Sequence, residues 1–401
     1  MNNKALDKEW FEIYKDGCAF DDIDYIKFDQ KKLAKQKELF LAGLIDEPTL
    51  EYDIDIQSIL YHKTKLLEFQ EIVATDNSAH PAVKKAYQMK IKDQLNKVSL
   101  LESVVERNDK TVTETSKRIY GAPDREVMRR ALSSVLYVAE KRGVTLGDKW
   151  CELVDYFDAK TDGSDIDYYK IEDNQEKLLA AEQLVEVLKK ALLDRGIAWE
   201  VTTNSSVVAV TVSYRDKTIY IPETRMVTEV LAEALVNHEV GVHLARHLNG
   251  FKSSLLLLSV GLNGYLNGEE GLATYRQVQT DKSFLPGITK YVLPALMIGL
   301  HKNTPWTFRQ IYDLTKEYYV LLGGSKNKLS ESAWKHGIVV FRGTSGKAGN
   351  VFTRSTAYFS GYLGIKELID KNDPEVERFL VGKYDPTNQD HIDILNQLDI
   401  R

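Results

Sequence analysis

The chain has 401 residues, 43% of them hydrophobic and 28% charged. That balance excludes wholesale disorder and suits two lobes or one large domain. With 53 Lys and Arg against 59 Asp and Glu, the net charge is −6, which argues against nucleic acid as a partner. The two cysteines, Cys18 and Cys151, exclude a disulfide-built secreted fold and predict a reducing, cytoplasmic setting.

From Met1 to Phe28 the chain is polar and acidic, without the basic head and apolar run of a signal peptide. The periodicity then predicts helices over 28–42, 54–73 and 81–106, each with one apolar stripe at three- and four-residue steps. Ile119-Tyr120-Gly121-Ala122-Pro123 interrupts the pattern, and Pro123 suits the first turn of a helix running to Arg142. The acidic stretch 159–174 reads as an exposed loop. A helix over 175–194 follows it.

The period changes after Gly196. Trp199–Thr202, Val207–Ser213 and Thr218–Ile221 are rich in β-branched and aromatic residues and predict three strands, at least two of them a hairpin. A long helix starts near Thr224 or Arg225, and the rest is helical apart from a predicted strand over 337–341. The most apolar stretch, Leu255–Leu262, falls well short of the roughly 20 residues a spanning helix needs, so no membrane partner is expected. The expected class is α+β: mostly helical, with a small antiparallel sheet beside the long helix. We expect a tail over 1–25, a helical lobe over 26–195 and a second lobe over 196–401.

The long helix contains His238-Glu239-Val240-Gly241-Val242-His243, with His247 one turn later, so it holds three of the chain's eight histidines. The usual zinc-hydrolase pattern is His-Glu-x-x-His, with the Glu as base; here the gap is one residue longer. In an α-helix, five steps turn a side chain by about 500°, leaving the imidazoles about 140° apart. They can share an ion only if the helix is wound more loosely, and one π-bulge brings them within about 50°. Gly241 lies inside the gap, where a bulge is cheapest sterically. The regularly spaced pair His243 and His247 is the competing reading. A third ligand is available from Glu269 or Glu270, at the start of the next helical pattern. Phe341-Arg342-Gly343-Thr344 and Phe352-Thr353-Arg354 bracket a Gly-rich loop with two arginines, the residue type that grips a carboxylate through parallel hydrogen bonds. Tyr358 and Tyr362 follow as core aromatics or donors to an oxyanion.

Taken together, His-Glu-x-x-x-His, Glu269-Glu270-Gly271-Leu272-Ala273 and the Arg-Gly and Phe-Thr segments resemble the MATCAP-type tyrosine carboxypeptidases. Their bacterial relatives are called flavohemoglobin expression-modulating QEGLA-motif proteins. The resemblance spans most of the chain and is most specific over 238–363. It implies a metallocarboxypeptidase with one zinc ion held by His238, His243 and Glu270, and with Glu239 as the catalytic base. It further implies Arg342, Arg354 and Tyr358 on the substrate, and a peptide or protein C-terminus, aromatic in type, as what is cleaved. The chain departs from the family pattern at Glu269, where the box has Gln, at Val242, where Thr is common, and at Arg354-Ser355, where Lys-Asp is common. Two other readings fit the same residues: a metal-dependent amidase or endopeptidase cutting an internal bond, and a non-catalytic binding module.

Overall fold

The computed structural model describes residues 5–161, 165–171, 177–207, 209–324 and 326–401, apart from the side chains of 326–328. By contact the chain divides into two units. One comprises 168–286 and 361–401 with the N-terminal stretch ending at Leu6; the other comprises 7–167 and 287–360. Both are discontinuous in sequence, unlike the contiguous lobes expected from a boundary at 195/196. Parts of the loop 159–174 lie outside the described residues. Among the described residues no helix is long and apolar enough to cross a membrane.

The unit of 7–167 and 287–360 is helical, with one small strand pair among its described residues, β1 (Lys27–Phe28) antiparallel to β2 (Tyr52–Asp53). Helices Gln30–Leu41, Ile56–Thr75 and Pro81–Val105 form where periodicity places them, and Asp29 and Asp55 cap the first two by accepting from the third backbone N–H. Pro81 opens its helix. Pro123 does not: Asp124 is the N-cap of Arg125–Arg142, accepting from the Val127 amide, so the proline sits just outside.

The predicted strand over 337–341 is a helix, Lys326–Val340. Its β-branched run Ile338-Val339-Val340 suggests a strand, but Ala333, Trp334, Gly337, Val340 and Phe341 are buried while Val339 is 41% exposed. That is a helical stripe, and packing on it overrides the local β preference.

The unit of 168–286 and 361–401 holds the remaining strands. β3 (Leu178–Ala180) pairs antiparallel with β7 (Met226–Thr228), and β4 (Glu200–Asn204), β5 (Thr211–Ser213) and β6 (Thr218–Pro222) form a sheet in the order β4-β6-β5. The β5–β6 hairpin is antiparallel as expected, whereas β4 runs parallel to β6. The helix expected from 175 begins at Ala181 after β3, and 175 and 176 lie outside the described residues. Likewise β7 precedes the long helix, which starts at Glu229 with Thr228 capping the Leu231 amide.

The long helix runs between two apolar clusters. Val236, Val240 and Leu244 pack with Leu188, Ile219, Ile221 and Val227. Val242 packs with Leu272, Ala273, Ile365 and Phe379. Helix Leu266–Thr280 lies against it. This second helix meets Ala357–Asp370 at Gly271 and Gly361 with no side chain between them. A Cβ on Gly361 would stand 2.1 Å from the Asn267 carbonyl oxygen, and one on Gly271 2.3 Å from the Gly361 carbonyl carbon. The glycine of the Glu-Gly-Leu-Ala box is therefore a packing requirement. Gly361→Ala should destabilise the protein by about 1–3 kcal/mol through overpacking, read as a lower denaturation midpoint; an unchanged midpoint would show that the helices can part freely.

Candidate metal centre

The helix that carries the histidines is not α-helical where they stand. After Glu229–Leu235 it is π-wound from Val236 to Leu244, then α-helical again over Ala245–Gly250. The looser winding turns the five-residue gap into nearly one turn, as sharing an ion requires. The His238 and His243 rings come to 4.9 Å between centroids at 75°. Ligand atoms of His238, Glu239 and His243 all lie within 4.8 Å of one another. The whole nine-residue segment is π-wound, more than a single bulge. Gly241 is not what permits it, since a Cβ there would meet nothing closer than 3.8 Å.

His243 is oriented by a carboxylate on the facing helix: its Nδ1 is 2.9 Å from Oε1 of Glu269, leaving Nε2 for an ion. Burial and surrounding acids oppose each other at His243, and Glu269, Glu270 and Glu239 hold its pKa above the usual value. Glu239 is buried and pushed up to about 7, mainly by desolvation, with Glu270 and Glu269 adding and His243 and Lys383 opposing. An imidazole pair with an adjacent carboxylate is a donor set that suits a divalent transition metal.

The second glutamate pair resolves into two environments. Both oxygens of Glu269 are engaged: Oε1 by His243 and by Lys383 Nζ at 2.7 Å, Oε2 by Arg246 Nη1 at 2.8 Å. Glu270 is not one of the three residues within 4.8 Å, but its charge acts on both His243 and Glu239. His247 lies apart from the group. Its Nδ1 is 2.8 Å from the Ser259 carbonyl oxygen, and its ring packs against Trp199, Tyr214 and Phe251. Burial pushes its pKa down to about 4.

The three residues expected on substrate lie in the other unit. Arg354 Nη1 and Nη2 each stand 2.9 Å from an oxygen of Asp21, and Nη1 is 3.0 Å from the Tyr120 hydroxyl, so its fork is occupied. The Arg342 guanidinium lies 5.5 Å from the Phe28 ring centroid, and its buried Nε has no hydrogen-bond partner. The Lys290 ammonium sits over the Tyr358 ring.

The family model for microtubule-associated tyrosine carboxypeptidases matches residues 37–401. The chain belongs to this family. Its members are metallocarboxypeptidases, and the His238-Glu239-His243 group makes this chain an enzyme of the His-Glu-x-x-x-His type. No curated protein matches the sequence. Among solved structures, one described as "the putative lipoprotein from Colwellia psychrerythraea" is 14% identical, covering 92% of this chain and 73% of its own at a TM-score of 0.42. A likeness of that size says nothing about activity.

Reading the sequence missed Arg246, Lys383 and Tyr214. Arg246 follows His243 by three residues inside an apolar helix, and a buried arginine there calls for a carboxylate opposite, a signal that was available. Lys383 and Tyr214 reach the site from distant segments, and nothing local marks them.

Proposed function

We propose that this protein is a zinc-dependent carboxypeptidase that releases a C-terminal residue, aromatic and most simply tyrosine, from a peptide or protein. The observation that carries the proposal is the π-wound segment, which brings two imidazoles and a buried carboxylate to one point. The donor set fits zinc, with His238, His243 and Glu270 as ligands. Glu270 is preferred to Glu269 because both Glu269 oxygens are already engaged. Bound zinc would supply a Lewis acid that lowers the pKa of a water towards ~7 and polarises the scissile carbonyl. Glu239 takes the proton of the attacking water and returns it to the leaving amine. A retired site would have no use for a buried carboxylate in that place, which speaks against a non-catalytic module.

The substrate's extended backbone would add to an exposed strand edge. β6 is central in its sheet, whereas β5 is at the edge and packs against the π-wound segment. Of the two arginines expected on a terminal carboxylate, Arg354 has its fork on Asp21, whereas Arg342 leaves its Nε unpaired within its own unit. The setting we propose is cytoplasmic, consistent with unpaired Cys18 and Cys151.

The experiment is a set of free-acid peptides differing only in the last residue, followed by mass spectrometry with and without chelator. Zinc-loaded protein should release one residue, fastest when it is Tyr or Phe, and chelation should abolish release. Internal fragments would favour the endopeptidase reading and overturn this one.

A further inference from the structure

Glu269 collects more buried charge than orienting one imidazole requires. It is 2% exposed and accepts from three donors, two of them the cations of Arg246 and Lys383. Those cations are fixed. Arg246 is fully buried, and its Nε and Nη2 donate to the carbonyls of Gly382, at 2.6 Å, and Tyr384, at 2.5 Å. Lys383 is 3% exposed, with its amide on the Leu258 carbonyl at 2.7 Å and its carbonyl accepting from the Leu262 amide at 3.0 Å. Its ammonium also donates to the Tyr214 hydroxyl at 2.7 Å. Segment 382–384 is thereby pinned to both the histidine helix and the facing helix.

We propose that Glu269 is a positioning residue, a carboxylate held off the metal by Arg246 and Lys383 so that it fixes His243 with Nδ1 as donor and Nε2 towards the ion. The alternatives at this position fail on hydrogen-bond chemistry. A glutamine could accept from His243 and Lys383 through its amide oxygen, but its NH2 group would then face the Arg246 guanidinium, donor against donor. The glutamate at 269 and the arginine at 246 therefore form one device: the cation stops the carboxylate from becoming a ligand, and the carboxylate keeps the buried cation paired.

The test rests on the reading that the site holds zinc, and it reads metal binding rather than turnover. Apo-protein is titrated with zinc against a chromophoric chelator, cobalt(II) spectra report the ligand set, and circular dichroism confirms folding. Glu269→Gln should remain folded, keep the wild-type cobalt spectrum and lose about 10- to 100-fold in zinc affinity. Arg246→Met alone should also weaken binding. The double variant Glu269→Gln/Arg246→Met should bind better than the product of the single losses predicts, because the donor clash is gone. Unchanged affinity in Glu269→Gln, strictly multiplicative losses, or a cobalt spectrum showing a lost ligand would overturn the assignment. Wild type that takes up no zinc would overturn both this and the proposed function. Wild type that binds zinc but cleaves no peptide would defeat only the latter.

Discussion

Glu239→Gln should keep its zinc and lose roughly 10²–10⁴-fold in kcat, about 3–5 kcal/mol of barrier. Glutamine matches glutamate in size and hydrogen-bonding reach but cannot accept the water's proton. Glu239 is buried next to the first histidine, on the same π-wound segment, so the substitution leaves the ligand geometry in place. Kinetics and metal analysis on one preparation separate base from ligand. Loss of metal together with activity would make Glu239 a ligand and remove the proposed base.

Amidating the substrate's C-terminus should lower kcat/KM by a factor corresponding to about 2–5 kcal/mol, the cost of stranding one partner of a buried charged pair. The amide removes the charge and one acceptor oxygen, and the guanidinium that met them stays desolvated. Arg342, the arginine with an unpaired Nε, is the one tested by substitution; burial lowers its pKa from the usual value. Arg342→Lys should rescue only in part, since an ammonium cannot reproduce two parallel hydrogen bonds. Arg354→Ala should instead act on stability, because it abandons Asp21 and Asp22 inside their own unit. Free-acid and amide peptides of one sequence, run against wild type and both Arg→Ala variants, check this. Equal cleavage of acid and amide would remove the carboxypeptidase reading.

The metal helix was legible because an impossible geometry announced itself. Two histidines five apart cannot meet on an α-helix, so the sequence demanded looser winding, and the segment Val236–Leu244 has it. What the sequence hid was the extent of that winding and its indifference to Gly241, because packing on both sides sustains a π-helix without a local mark. Helix 326–340 went unrecognised because Ile338-Val339-Val340 has the composition of a strand, and only its burial stripe shows the true period. The role of Glu269 stayed open because two adjacent glutamates are equivalent in sequence. What separates them is the arrival of Arg246 and Lys383, a long-range event.

The most direct measurement is the zinc content of three proteins purified in parallel: wild type, His243→Ala and His247→Ala. Wild type should carry about one zinc per chain, His247→Ala should retain it, and His243→Ala should lose most of it, since two remaining ligands cannot hold a site. Full zinc in His243→Ala with loss in His247→Ala would rule out the His238–His243 site and return it to the regularly spaced pair.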